Sequence, residues 1–237
     1  MASTFFQFKE FTVHQGLSAM KVSSDACVFG AYTARYLGEA HRVLDIGAGT
    51  GLLALMLAQR FANAQITAVE VEYQSYLQAK ANFEQSQWHE RFTLVHQKIQ
   101  DFPTKKFDLV ISNPPFFVNS LKSNNLAKTI ARHTASLPFA DLVAAAQRLC
   151  TPTGTIAVLL PITEASLFLQ LADSQLFLEH QVFFKDNAHK QVHRTFLFLK
   201  TQPKNAPHSV TELTLKELNN NFTHEAIQLL KPYYLYL

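Results

Sequence analysis

Cysteine is scarce in this chain, and long apolar runs are absent from it. The two cysteines, Cys27 and Cys150, lie far apart in 237 residues and have no neighbours spaced as metal ligands. A disulfide framework and a zinc site are therefore not indicated, and we expect no bound metal. No segment approaches the roughly 18 uninterrupted apolar residues of a membrane span, and residues 1–9 lack the basic-then-apolar order of a secretory signal. We expect a cytoplasmic protein with no membrane partner.

An excess of charge of either sign is also missing. The formal charge of +3 is the difference between 21 basic and 18 acidic residues, which permits an anionic partner without requiring one. No grouping of serine, cysteine and histidine indicates covalent nucleophilic catalysis. The apolar content of 48% can bury one large core, so we predict a single α/β domain over residues 1–237.

Short apolar runs alternate with helical segments between residues 41 and 201. This alternation predicts a mostly parallel sheet of seven strands with helices on both faces. The last two runs are joined by a short polar loop and should pair as an antiparallel hairpin at the sheet edge. Residues 1–40 are predicted to form an N-terminal hairpin or lid, and residues 202–237 a C-terminal tail. The predicted strands are Val43–Ile46, Ile66–Val69, Phe92–His96, Leu109–Ser112, Ile156–Leu160, Leu178–Lys185 and Arg194–Lys200.

Three glycines, Gly47, Gly49 and Gly51, follow the first predicted strand. In an open parallel sheet, ligands bind beyond the carboxyl ends of the strands, and glycine allows the backbone to approach a ligand closely. Glu70 follows the second strand, 19 residues after the last of these glycines. This is the position of a carboxylate that accepts hydrogen bonds from a ribose diol. The pattern predicts a site for an adenosine-containing cofactor.

Two details favour S-adenosylmethionine over a nicotinamide cofactor. Asp45 stands just before the glycines, where its carboxylate can reach a cationic amino acid moiety. The third glycine also comes one residue earlier than in the dinucleotide-binding pattern. A nicotinamide-dependent oxidoreductase remains as an alternative, although no hydride-transfer acid is evident.

A second motif, Asn113-Pro114-Pro115-Phe116, follows the fourth predicted strand at the same edge. An amine attached to an aromatic ring is a poor nucleophile because its lone pair is delocalised. If the Asn113 side-chain oxygen and the Pro114 carbonyl accept its two N–H bonds, the nitrogen can pyramidalise and direct its lone pair at a methyl donor. The prolines fix the backbone, and Phe116 offers a face for a flipped-out base. Asn113 would also border the cofactor.

Positive charge is concentrated in the loops that follow the fourth and sixth predicted strands. Because these strands should run parallel, both loops emerge at the ligand-binding edge. Such charges can neutralise the phosphates of an RNA stem-loop, although ordinary solubilising charges remain an alternative. The residues predicted to contact RNA are Lys122, Lys128, Arg132, His133, Lys190 and Arg194.

With these motifs in place, the chain resembles the Rossmann-like class I S-adenosylmethionine-dependent N6-adenine methyltransferases. It is most similar to the bacterial tRNA1(Val) (adenine(37)-N6)-methyltransferase family. The narrower resemblance extends to about Pro161 and, more loosely, to the C-terminal segment. Its distinctive segments are residues 8–15, 19–25, 30–31 and 131–137. The resemblance implies S-adenosylmethionine as cofactor, a tRNA partner and methylation of adenine 37.

The resemblance also implies roles for further residues near the cofactor. Lys21 and Asp25 would help to close the cofactor site from the N-terminal side. Many relatives carry an aspartate after the third strand that binds the cofactor adenine, whereas this chain has Lys98 there. Gln100 and Asp101 are therefore the candidates for the adenine contact.

Other functions use the same motifs. The Asn-Pro-Pro-Phe motif is equally suited to a glutamine in a release factor, a DNA adenine or a ribosomal RNA base. A non-catalytic RNA-binding protein could keep the fold, but the intact motif argues against that alternative. The sequence thus predicts an amino-group methyltransferase and favours tRNA adenine as its substrate.

Overall fold

The computed structural model describes residues 3–18, 20–115, 137–204 and 206–237. The strands are β1 (Phe5–Gln7), β2 (Thr12–His14), β3 (Arg42–Ile46), β4 (Gln65–Glu70), β5 (Phe92–His96), β6 (Phe107–Ser112), β7 (Cys150–Pro161), β8 (Phe177–Asn187), β9 (Arg194–Lys200) and β10 (Ser209–Lys216). The helices are α1 (Ser24–Leu37), α2 (Leu52–Arg60), α3 (Tyr73–Glu84), α4 (Phe139–Leu149), α5 (Ile162–Ala172) and α6 (His224–Leu230). Short 3-10 turns cover His89–Arg91 and Ile99–Asp101.

A single large sheet organises the fold. Its eight strands lie in the order β10-β8-β9-β7-β6-β3-β4-β5. All of them run in the same direction except β9, which is antiparallel to both β7 and β8. The Rossmann-like, mostly parallel sheet is therefore confirmed, and so is the antiparallel hairpin of β8 and β9.

The prediction that the β8–β9 hairpin forms the edge of the sheet was wrong. The sheet has eight strands rather than seven, and β10 continues it beyond the hairpin by pairing in parallel with β8. Without β10, the outer side of β8 would present unpaired backbone groups. The alternation of Leu213 and Leu215 with polar residues was the missed signal, since both leucines are buried on one face. The boundary drawn at residue 202 thus falls between two strands of one sheet.

Side chains on the central strands alternate between two buried layers. Leu109 and Ile111 pack on one face of β6 and Val110 on the other. The first layer also contains buried residues of α1, α2, α3 and α6, and the second contains those of α4 and α5. Helices therefore cover both faces, as predicted.

The N-terminal hairpin is formed by β1 and β2, which pair antiparallel as predicted. The C-terminal segment packs against this hairpin, and Phe8 forms an isolated antiparallel β-bridge with Tyr234. The Lys9 N–H also donates to the carbonyl of Tyr233 at 2.8 Å. None of the helices in the described ranges is long and apolar enough to cross a bilayer.

Candidate active site

The turn after β3 uses the backbone freedom of glycine. Gly47, Gly49 and Gly51 have φ angles of 72°, 57° and 80°, which L side chains rarely adopt. A Cβ atom on Gly51 would also lie 2.5 Å from the ring of Phe83. At Gly47 and Gly49 no atom lies within 4 Å of such a Cβ, so open space faces this part of the turn. The turn is therefore shaped for the close approach of a ligand.

Asp45 lies beneath this turn as a buried and unpaired carboxylate. Its residue exposure is 1%, and neither oxygen has a hydrogen-bond partner in the described structure. Burial is the main cause that raises the pKa of Asp45 to about 7; the backbone of Ala54 partly offsets this rise, and the nearby carboxylate of Glu70 adds to it. A buried polar group without a partner is costly. The carboxylate is thus an acceptor available to a cationic ligand group.

Glu70, at the end of β4, holds the glycine turn in place. Its Oε2 accepts the N–H of Gly49 at 2.8 Å. Its Oε1 accepts the N–H groups of Val71 at 2.9 Å and Glu72 at 2.8 Å. A carboxylate offers about four lone-pair sites, so these three bonds leave room for one more. The predicted ribose contact stays a prediction, and the structure adds a role in positioning the turn.

Glu70→Gln should weaken binding of S-adenosylmethionine by about 10-fold or more. Either orientation of the new amide directs its NH₂ group at backbone N–H donors, which leaves buried donors unsatisfied and distorts the turn. Calorimetric titration of the variant measures the loss. Glu84→Gln is the matched control, because Glu84 is exposed on α3 and pairs only with Lys80 among the described ion pairs. Equal affinity in the Glu70 and Glu84 variants would contradict this role.

Asn113 is fixed beside the glycine turn by the pairing of β6 with β3. Ile46 and Ser112 are register partners, and the Ser112 hydroxyl donates to the Ile46 carbonyl at 2.8 Å. The residues that directly follow these paired positions are Gly47 after β3 and Asn113 after β6. The Asn113 Oδ1 atom is buried and has no partner in the described structure. Two acceptors without partners, Asp45 on β3 and Asn113 directly after the neighbouring β6, thus lie at one edge of the sheet.

The remaining parts of the Asn-Pro-Pro-Phe motif are only partly covered by the structure. Pro114 is buried and Pro115 is exposed. Buried Pro114 supports the proposed fixed backbone after Asn113. Phe116 lies outside the described residues, and so do the predicted RNA contacts Lys122, Lys128, Arg132 and His133.

Asp25, predicted to border the cofactor, and Arg194, predicted to contact RNA, form an ion pair with each other. Asp25 Oδ2 accepts a hydrogen bond from Arg194 Nε at 2.9 Å, and both side chains are largely buried. Asp25 also accepts bonds from the Ala26 N–H and the Ser23 hydroxyl. The pair fastens the first turn of α1 to the start of β9 at the ligand-binding edge. Their cofactor and RNA roles remain predictions.

Two other predicted residues make local contacts. The Lys21 amine donates to the carbonyls of Gln15 and Ser18, the latter at 3.0 Å, and so braces the N-terminal segment. Lys190 is 63% exposed in the β8–β9 loop and pairs with Asp186 at 3.2 Å. An exposed pair of this kind contributes little to stability, so Lys190 can exchange partners readily.

The candidates for the adenine contact lie in the 3-10 turn after β5. The Gln100 amide donates to Asp141 at 2.8 Å, so it is engaged with α4, and Asp101 is exposed. Sequence reasoning missed Gln97, which directly follows β5. Its Nε2 atom is buried without a partner in the described structure, and its backbone N–H donates to the Glu70 carbonyl at 3.2 Å. The available signal was its position directly after the third predicted strand, whereas the burial of its side-chain amide is visible only in the structure.

Comparison with known proteins agrees with this geometry. The family described as the Methyltransferase small domain matches residues 32–138. A tRNA1(Val) (adenine(37)-N6)-methyltransferase from Pseudoalteromonas translucida is 40% identical over 232 residues, covering 97% of this chain and 98% of the relative. One from Dyadobacter fermentans is 48% identical over 168 residues, covering 70% and 69%. Among solved structures, a predicted O-methyltransferase from Agrobacterium tumefaciens matches with a TM-score of 0.66 at 16% identity, covering 88% of this chain and 96% of that one.

The cofactor of this methyltransferase is S-adenosylmethionine. The residues present fit that molecule on two observations. The orphaned carboxylate of Asp45 can accept an ammonium group, and the space over Gly47 and Gly49 lets a ligand reach the backbone. The identity spans nearly the full length of the Pseudoalteromonas relative. The chain therefore belongs to the tRNA1(Val) (adenine(37)-N6)-methyltransferase family.

Proposed function

We propose that this protein transfers the methyl group of S-adenosylmethionine to the N6 amine of adenine 37 in tRNA1(Val). The observation that carries the proposal is the buried, unpaired carbonyl of Asn113 beside the glycine turn. The names of the full-length relatives support the choice of substrate. The reaction belongs where tRNA is found, which supports a cytoplasmic location.

Asn113 and Pro114 would orient the reacting amine. The Asn113 Oδ1 and the Pro114 carbonyl accept its two N–H bonds, which favours a pyramidal nitrogen with its lone pair directed outward. When bound, S-adenosylmethionine supplies an electrophilic methyl group on its sulfonium. As the nitrogen gains positive charge, hydrogen bonds to these acceptors strengthen, so they stabilise the transition state more than the ground state. The methylated nitrogen then loses a proton readily, and no titrating base is needed.

Asp45 and Glu70 would hold the cofactor from below the turn. Asp45 offers its orphaned carboxylate to the ammonium of the amino acid moiety. Glu70 keeps Gly49 in place and has one lone-pair site left for a ribose hydroxyl. Lys21, Asp25, Gln100 and Asp101 keep their predicted roles near the cofactor as part of the proposal.

Methyl transfer to defined RNAs tests this function directly. Purified protein is incubated with labelled S-adenosylmethionine and a tRNA1(Val) transcript carrying either adenine or guanine at position 37. We expect label only on the first transcript, as N6-methyladenosine. Label on both, or on neither, would contradict the proposed substrate. Ribosomal RNA, DNA and a release-factor peptide serve as the competing substrates.

Arg132→Ala combined with Lys190→Ala should weaken tRNA binding and flatten its salt dependence. Each lost phosphate contact lowers the log–log slope by about 0.7 to 0.9, so the double variant should lose about 1.5. Binding is measured at several salt concentrations by filter retention. Arg35→Ala combined with Lys204→Ala is the control, because these exposed residues pair with Glu225 and Glu179 and lie outside the loops that follow β6 and β8. An unaltered slope in the first variant would assign its charges to solvation.

A further inference from the structure

One face of α3 carries three buried polar side chains. Ser75, Gln78 and Asn82 are spaced three and four residues apart, which places them along one stripe of the helix. Their residue exposures are 6%, 5% and 1%. Buried polar groups require hydrogen-bond partners. The hydrogen-bond partners of these three side chains therefore show which segments α3 holds in place.

The partners of the stripe lie mainly in the segment that joins β2 to α1. Gln78 Oε1 accepts the N–H of Leu17 at 3.0 Å, and the Ser75 hydroxyl lies 3.2 Å from that of Ser18. The Asn82 side chain pairs with both backbone groups of His14, accepting its N–H at 2.9 Å and donating to its carbonyl at 2.8 Å. We call residues 14–18 the docked segment. Helix α3 thus holds this segment through side chains rather than through apolar packing alone.

Asn82 has one additional partner, and that partner lies in the glycine turn. Its Nδ2 atom donates to the carbonyl of Thr50 at 2.8 Å. Thr50 stands between Gly49 and Gly51, next to the N–H that Glu70 holds. One buried amide therefore joins the docked segment to the turn. Neither Gln78 nor Ser75 has a contact with the turn among the described hydrogen bonds.

We propose that Asn82 is a positioning residue that couples docking of the N-terminal segment to the conformation of the glycine turn. The inference rests on cofactor binding at that turn, as proposed above. A turn held in its binding conformation favours the docked segment, and a docked segment favours the turn. Such coupling is reciprocal, so S-adenosylmethionine stabilises the docked segment to the same degree that docking raises its affinity.

Asn82→Asp tests the coupling with a change of one atom. The variant keeps an oxygen for the His14 N–H but replaces both donors with a carboxylate oxygen facing two carbonyls. We expect S-adenosylmethionine to bind about 10-fold more weakly, with a raised KM for the cofactor and an unchanged kcat at saturation. Gln78→Leu is the matched control, since it releases only the segment. Its cofactor affinity should fall less than that of Asn82→Asp.

Amide hydrogen exchange of the wild-type protein gives an independent readout that needs no variant. We expect S-adenosylmethionine to slow exchange at His14 and Leu17 by about 10-fold, the factor by which docking raises the affinity for the cofactor. Unchanged exchange in a wild-type protein that binds the cofactor would overturn the coupling alone. Equal cofactor affinity in a folded Asn82→Asp variant would do the same. A wild-type protein that binds no S-adenosylmethionine would overturn the proposed function together with the coupling.

Discussion

Asn113→Ala lowers kcat for tRNA methylation by about 100- to 1,000-fold while the affinity for S-adenosylmethionine stays within about threefold; this is the largest effect that we expect. The side chain removed is the orphaned acceptor beside the glycine turn. Without this side chain, the lone pair of the amine stays delocalised into the adenine ring. The positive charge that develops on the nitrogen also has one hydrogen-bond acceptor fewer to stabilise it. Single-turnover methylation and calorimetric titration of the cofactor separate the two quantities.

The control for this substitution is Asn219→Ala. Asn219 is an exposed residue in the turn after β10, which is the edge strand five positions from β3 in the sheet. It accepts the Asn221 N–H at 3.0 Å, so the control also removes a side-chain hydrogen bond. Full activity of Asn113→Ala would remove the residue from the mechanism. Loss of cofactor binding together with activity would place it in the cofactor site instead.

Asp45→Asn should have opposite effects on stability and on cofactor affinity. In the protein without cofactor, the variant replaces a buried, unpaired carboxylate by a neutral amide and should raise the melting temperature above neutral pH. With cofactor, the variant lacks the negative charge that the ammonium group requires. We expect affinity to fall by at least about 10-fold. Thermal melts and calorimetric titrations at several pH values measure both effects.

The pH dependence of the stability difference follows from the direction of the pKa shift. The pKa of Asp45 is about 7 in the folded protein, against 3.8 for an unperturbed aspartate. Between these values the folded state keeps a proton that the unfolded state releases, so wild-type stability falls as pH rises through this range. Asp45→Asn does not lose stability in this way, because its amide does not titrate. Its advantage should be absent below pH 4 and should reach up to about 4 kcal/mol above pH 7.

The matched control is Asp173→Asn, at an exposed position that ends α5. It should change neither the pH profile of stability nor the affinity for the cofactor. Binding of S-adenosylmethionine to the wild-type protein should release protons below about pH 7, because a cation in the site favours the charged carboxylate. A melting temperature of Asp45→Asn that tracks the wild type from pH 4 to pH 8 would contradict the assigned cost of the buried charge.

Much of the site could be predicted because it sits where strands end. Each apolar run fixed the position of the polar residues that follow it, so the glycine turn, Glu70 and Asn113 were expected at one edge. The structure places them there and shows that Asn113 is beside Gly47 through the pairing of Ile46 with Ser112. Their individual contacts with cofactor and substrate stay predictions.

Other features could not be predicted because they depend on contacts between distant segments. No local pattern distinguishes Asn82 from the other polar residues of α3, and its burial depends on contacts with residues 14–18 and with the glycine turn. Asp25 and Arg194 were assigned to different ligands, yet they pair across 169 positions of sequence. The outer strand β10 was missed because its alternation is short, and it becomes evident only against β8.

The sequence by itself determined the order of strands and helices between residues 41 and 201, the glycine turn, and the positions of Glu70 and Asn113 at the strand ends. It could do so because periodicity and turn chemistry are local properties of the chain. Only the tertiary structure decided that Asp45 and Asn113 are buried without partners and that Asn82 joins the N-terminal segment to the turn. Burial and hydrogen-bond satisfaction depend on which distant segments pack together, and that information is absent from any short window of residues.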